Sequence, residues 1–179
     1  MGNNLIQEAF TRFDVVATYH QSPPSTDQAT WVNLDLTRSR EVQECINRER
    51  PDRVFLLAAL SQPNLCEQFP DRSWEVNVRA TETIAGFCAE KGIKLIFTSS
   101  DLVFDGKTGH YSEVDQPNPI NLYGVHKLKA EELVLAANTK NCVARMPLMF
   151  GHASGNNRSF IAPMITKLEA GEELTLFTD

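Results

Sequence analysis

Apolar and polar positions along the chain follow two periods. Val15-Val-Ala-Thr-Tyr19, Trp31-Val-Asn-Leu34, Val54-Phe-Leu-Leu-Ala-Ala59, Ile93-Lys-Leu-Ile-Phe-Thr98 and Cys142-Val-Ala-Arg145 are short apolar runs bounded by polar residues. Runs of that length fit strands buried inside a sheet. Between them the period lengthens to that of a helix. Leu5, Ile6, Ala9 and Phe10 mark one face of a short helix, and further helices are predicted over 41–50, about 71–91, 123–137 and 157–170. Pro51-Asp52, Gly92 and Gly171 stop three of them, as proline and glycine do at helix ends. Strands alternating with helices predict an α/β fold, a doubly wound parallel sheet with right-handed crossovers. No internal repeat or low-complexity linker interrupts the pattern.

The chain has 179 residues, enough for one domain with a sizeable core. Apolar content of 42% and charged content of 22% describe a folded globular protein. A net charge of −6 argues against nucleic acid or an acidic membrane as partner. No apolar run reaches membrane-spanning length and no secretory signal is read at the start. Cys45, Cys66, Cys88 and Cys142 form no Cys-x-x-Cys pair and are expected to be reduced, mostly buried thiols of a cytoplasmic protein. The four histidines are isolated, without metal-ligand spacing.

Candidate chemistry lies in Leu122-Tyr-Gly-Val-His-Lys-Leu128 and, upstream, in Phe97-Thr-Ser-Ser-Asp-Leu-Val-Phe-Asp-Gly106. These read as a helix start and a strand end able to meet across one pocket. Tyr123, Lys127 and Ser100 would bring a phenol, an ammonium and a hydroxyl together, a set that passes a proton to or from a carbonyl oxygen. A free phenol titrates near 10, and a nearby cation favours the phenolate. Lys127 is one helical turn from Tyr123 on the same face, so it is expected to lower the phenol's pKa.

Asp35-Leu36, Leu57-Ala-Ala59, Asn77, Thr98 to Gly106, Tyr123-Gly-x-x-Lys127 and Arg145-x5-Gly151, in that order, carry a resemblance. The chain resembles the extended short-chain dehydrogenase/reductase superfamily, and within it the dTDP-4-dehydrorhamnose reductase-like, sugar nucleotide-binding branch. The resemblance implies a Rossmann-like NAD(P)-binding domain over 1–155 and the start of a substrate-binding region over 156–179. It implies NAD(P)-dependent reduction of a nucleotide-linked 4-keto sugar, with Tyr123 as general acid. Lys127 would tune the phenol and hold the nicotinamide ribose, and Ser100 would hydrogen-bond the substrate carbonyl. Gly2, His20, Asp35, Leu36, Ala58 and Ala59 would join Tyr123 and Lys127 in binding the cofactor. Asn156 and Asn157 would join Ser100 at the substrate, while a capping Asp35 and a polar loop at 156–158 are the rival readings.

Thr18-Tyr-His-Gln-Ser22 lacks the acidic residue that binds a ribose 2′-hydroxyl. That leans toward NADP over NAD; no arginine stands in that segment, and His20 or Ser22 would serve the 2′-phosphate. Leu102 stands where reductases of this branch often show tyrosine, and Ser100-Asp101-Leu102 lacks the glutamate of a 4,6-dehydratase. A doubly wound dinucleotide-binding domain opens with a strand and a Gly-rich turn, whereas this chain starts on the following helix, with Gly2 as the turn's last glycine. Two strands are then expected to border a missing central one and to carry unpaired backbone groups. With 172–179 reading as the beginning of a strand, the chain is expected to be an interior piece of a longer enzyme. Two other functions stay open, a sugar-nucleotide epimerase and a non-catalytic NADP-binding subunit like the regulatory one of methionine adenosyltransferase. A homodimer is also left open.

Overall fold

The computed structural model of the protein describes residues 1–21, 27–149 and 161–174. The order is α1 (Gly2–Ala9), β1 (Val16–Tyr19), β2 (Thr30–Asn33), α2 (Ser39–Glu49) and β3 (Arg53–Leu56). Then come α3 (Pro63–Gln68), α4 (Pro70–Trp74), a π turn (Glu75–Arg79), α5 (Ala80–Lys91) and β4 (Lys94–Ser100). A 3₁₀ turn (Asp101–Val103), α6 (Leu122–Ala137), β5 (Cys142–Met146) and α7 (Ala162–Glu169) complete the described elements. None of these helices is long and apolar enough to cross a membrane.

Every strand pair is parallel, and the strands fall into two sheets. β1 pairs with β2, while β4 lies between β3 and β5. The doubly wound α/β fold is as the alternation predicts, and so is the break in the sheet. Among the described residues no ladder joins the sheet of β1 and β2 to that of β3, so β1 and β3 each present an open edge. One apolar core nevertheless spans both: Leu34 beyond β2, Val42 and Cys45 of α2, Leu56 of β3, Ile84 and Cys88 of α5, Leu95 and Phe97 of β4, and Val134 of α6.

Three departures from the periodicity shape the site. The third strand stops at Leu56, so Leu57, Ala58 and Ala59 leave the sheet. Pro63 opens α3, six residues too short to show a period. The long helix begins with Pro70 at its first turn and widens at the π turn before α5 resumes. At its far end Gly92 adopts a left-handed conformation (φ 69°) that glycine takes at no steric cost. α2 ends through Arg50, a non-glycine held left-handed at φ 46° just before Pro51.

Two contacts place α6. At its start Glu67 of α3 accepts from Leu122 N (2.7 Å) and Asn121 Oδ1 accepts from Gly124 N (2.8 Å), satisfying donors that a helix leaves free. The helix also lies on the 3₁₀ turn. A Cβ at Gly124 would stand 2.1 Å from the Leu102 carbonyl oxygen and 2.9 Å from Pro119 Cβ. Only a residue without a side chain admits that approach.

Gly124→Ala therefore sets a gain of about 1 kcal/mol in helix propensity against overpacking of about 1–3 kcal/mol. The obstacle is backbone, which cannot swing aside, so the urea midpoint is expected to fall. A raised midpoint would show that the helix and turn do not touch. Hydrogen–deuterium exchange should find the amides of β4 protected and alternate amides of β1 and β3 exchanging like loops. Uniform protection along β3 would reveal a partner on its open side.

Candidate functional site

Ser100 ends β4 and caps the 3₁₀ turn, its Oγ accepting from Leu102 N (3.2 Å) and donating to Asp101 Oδ1 (3.0 Å). Asp101 is thereby a local hydrogen-bonder. Because Gly124 seats α6 on Leu102, Tyr123 in the first turn of α6 comes against that same turn. Tyr123 and Lys127 are both buried, with relative exposures of 7% and 2%, and they follow one another along one face of α6. Thus the structure brings Ser100 and Tyr123 to the same turn at the end of β4, while Lys127 directs its amine to Phe97 within that strand.

The electrostatics differ from the sequence expectation. Burial pushes the Tyr123 phenol above its ordinary value, and the neighbouring Cys66 and Asp101 push it further in the same direction. Lys127 is not among the groups acting on it. The reason is where the amine lies: Nζ sits 4.0 Å from the centroid of the Phe97 ring, a cation–π contact. Burial lowers the Lys127 pKa to about 8, against the opposing attraction of Glu131. The phenol is therefore protonated at neutral pH, the state a proton donor needs, while the lysine is close to losing its own charge.

A polar network behind the site went unread in the sequence. Asn77, inside the π turn, accepts from Leu60 N (2.9 Å) and donates to Leu60 O (3.1 Å). It also donates to Ser73 Oγ (3.1 Å), which shares a 2.8 Å hydrogen bond with His126 Nδ1 on α6. The Cys66 thiol adds a bond to Leu60 O (3.3 Å). This clamp fixes the loop that follows Ala58 and Ala59. Burial lowers the His126 pKa, with Glu67 opposing, which keeps the imidazole neutral inside the clamp. Asn77 was visible only as part of the resemblance; its pairing to a backbone needs the fold.

At the cofactor positions, Gly2 opens α1 beside the end of β3, where a Cβ would meet Leu57 Cδ1 at 3.9 Å. Ala58 is exposed and Ala59 half-buried, both past the end of the strand. Asp35 Oδ1 accepts from Thr37 N (3.0 Å) and Thr37 Oγ1 (2.7 Å) in the turn leading to α2. Those two bonds, more than the nearby His20 and Arg38, hold its pKa below the usual carboxylate range. Leu36 packs against the core cluster. His20 Nε2 (3.8 Å) and Arg38 Nε (3.6 Å) both approach Asp35 Oδ2. An arginine absent from the segment after β1 is thus delivered there from the segment after β2, because the two strands run parallel side by side. Asn156, Asn157, Arg158 and Ser22 lie outside the described residues.

Among the described residues no His, Cys, Asp or Glu cluster could hold a metal ion. Cys45, Cys66 and Cys88 are buried free thiols, while Cys142 is exposed. Cys88 is driven up to about 11 by burial, so it stays a thiol.

Comparison with known proteins identifies the family. The chain is 36% identical over 136 residues to methionine adenosyltransferase 2 subunit beta of Bos taurus, covering 76% of this chain and 41% of that protein. It is 34% identical over 169 residues to the probable low-salt glycan biosynthesis reductase Agl14 of Haloferax volcanii, covering 92% and 56%. The chain therefore spans about half the length of these relatives. A crystal structure of a hypothetical dTDP-4-dehydrorhamnose reductase from Sulfolobus tokodaii superposes with a TM-score of 0.85 at 28% identity, covering 96% of this chain and 59% of that one. The dTDP-4-dehydrorhamnose reductase of Bacillus anthracis in complex with NADP gives 0.74 at 25% identity, covering 89% and 61%. A model of the RmlD substrate binding domain matches residues 1–179, and the chain belongs to that family, with the Rossmann-like fold of its reductases.

Proposed function

We propose that the protein reduces the 4-keto group of a nucleotide-linked sugar with NADPH, or with NADH, and that Tyr123 supplies the proton. One observation carries this reading: the Gly124 approach, which sets Tyr123 against the turn capped by Ser100.

The residues present fit a dinucleotide at its two ends. Lys127 and Tyr123 would hold the nicotinamide riboside, and His20 with Arg38 would receive a 2′-phosphate, which favours NADP. Asp35 would orient those two side chains rather than reach the adenine, whose neighbours would be Leu36 and the exposed Ala58. Of the pyrophosphate contacts, Gly2 is the one the described residues bring near. When bound, the reduced nicotinamide supplies the hydride. Residues from 156 onward, Asn156 and Asn157 first, would meet the nucleotide-sugar.

Ser100 would donate its hydroxyl hydrogen to the sugar's O4, exchanging the Asp101 bond for the substrate, and would strengthen that bond as charge develops. Tyr123 then passes its phenolic proton to O4, leaving a phenolate that the Lys127 ammonium would stabilise by turning toward it from its resting place over Phe97. A second reading, a dinucleotide-binding subunit of a larger assembly, draws on the 36% identity with the methionine adenosyltransferase subunit.

With NADPH and dTDP-4-dehydrorhamnose, nicotinamide absorbance should fall with time, and Tyr123→Phe should lower kcat about 10²–10⁴-fold, a far larger effect than the loss of one ribose contact has on NADPH affinity. An undiminished kcat in that variant would remove Tyr123 from the chemistry. Sugar interconversion without net cofactor loss would make the protein an epimerase. NADPH binding without turnover, with capture of a methionine adenosyltransferase catalytic subunit, would establish the second reading.

The ammonium of Lys127 is the active form and titrates near 8. Consequently kcat/KM should decline as pH rises through about 8. A profile flat from pH 7 to 9 would contradict that role.

A further inference from the structure

Lys127 and Glu131 stand four residues apart on α6, both buried, at 2% and 4% exposure. That spacing invites an ion pair, although lysine preceding glutamate is the weaker order along a helix. Among the described residues Lys127 forms none. The Glu131 carboxylate is engaged from the other side by Arg145 of β5. Its Nε donates to Oε1 and Oε2 (3.1 and 3.2 Å) and its Nη2 to Oε2 (2.8 Å). The guanidinium is steadied further by the Phe104 ring, 5.0 Å from its centroid. Its remaining nitrogen, Nη1, is buried without a partner among the described residues, so Glu131 and Phe104 are what hold it.

We propose that Arg145 is a positioning residue: by occupying both oxygens of Glu131 it keeps that carboxylate from pairing with Lys127, leaving the amine over Phe97 without a carboxylate partner. The functional meaning rests on the proton-donor reading of Tyr123 and Lys127; the electrostatic claim does not. Two cations compete for one carboxylate, and the fork geometry of arginine takes it bidentately, as a lysine cannot. The charge left over falls on a lysine already taken out of water. The other charged or titratable groups near this cluster are Tyr123 on α6, Asp101 of the 3₁₀ turn and Cys66 of α3, the last two acting on the phenol, and Glu113 of the loop before α6, which acts on Arg145. Glu131 is the charged group that acts on Lys127 directly.

The test is the titration of Lys127 in the 179-residue chain, read by NMR of labelled lysine side chains, with Lys127→Met identifying the resonance. Arg145→Met frees Glu131, so the midpoint should rise by about one pH unit or more. Glu131→Gln leaves two unneutralised cations side by side, so the midpoint should fall. Arg145→Lys, which keeps the charge, should stay nearest the parent, and the double variant Arg145→Met with Glu131→Gln should lie between the two single ones. Shifts of the same sign in both single variants, or no shift in either, would overturn the proposal. If Arg145→Met does not fold, Glu131→Gln and Arg145→Lys still decide: a midpoint unmoved by Glu131→Gln sinks it.

Titration needs no substrate, so the outcome is readable whether or not the protein turns over a keto sugar. Should turnover be found, Arg145→Met should displace the alkaline limb of the kcat/KM profile by the same interval as the NMR midpoint. A loss of kcat with an unmoved limb would mean that Arg145 merely supports the fold.

Discussion

The site depends on one missing methylene-sized volume. Where α6 crosses the turn after β4, helix backbone rests directly on the Leu102 carbonyl, and Gly124 is the residue that makes room. The contact converts two distant sequence segments into one locus, because Ser100 is fixed to the turn and Tyr123 to the helix. It also explains the depth at which Tyr123 and Lys127 lie, since a helix held farther out would leave both side chains wet. Burial then does the electrical work, raising the proton affinity of the phenol and lowering that of the amine.

Much of this was legible in the sequence because the signals are local. Strands appeared as short apolar runs and helices as stripes, and the two glycines at 92 and 171 closed helices where expected. The Tyr123–Lys127 relation followed from helical spacing alone, and the break in the sheet from the order of elements. The parts that stayed hidden are those set by tertiary contact. Lys127 turns to the Phe97 ring rather than to the phenol, and nothing in a Tyr-x-x-x-Lys spacing reveals which aromatic face a neighbouring strand will offer. Arg38 and His20 meet at the Asp35 carboxylate only because parallel strands bring their following loops to one end. Asp35 could be read as ligand or as turn-former, and hydrogen bonds to Thr37 decide its geometry.

Two layers of support stand behind the reactive groups. Asn77 holds the Leu60 backbone by both its donor and its acceptor, fixing the loop after β3. Glu131 and Arg145 tie α6 to β5, and Phe104 continues the tie into the next loop, where it stacks on Tyr111 at 4.3 Å. There Asp105 accepts from Tyr111 (2.5 Å), Lys107 N (3.1 Å) and Asn118 (2.9 Å), bonds that hold its carboxyl well below its ordinary pKa. Buried polar groups such as Asn77 and Glu131 are costly unless satisfied, and both have their partners beside the residues whose placement matters.

The wide turn at Glu75–Arg79 has a consequence for how one rod serves two clients. An α-helix advances about 100° per residue, so a single surplus residue rotates everything after it by roughly that angle relative to everything before. Ser73 and Asn77 can therefore address polar backbone and an imidazole, while Ile84, Ala85 and Cys88 present their faces squarely to the apolar floor. A uniform winding would force one of these two audiences to be met obliquely.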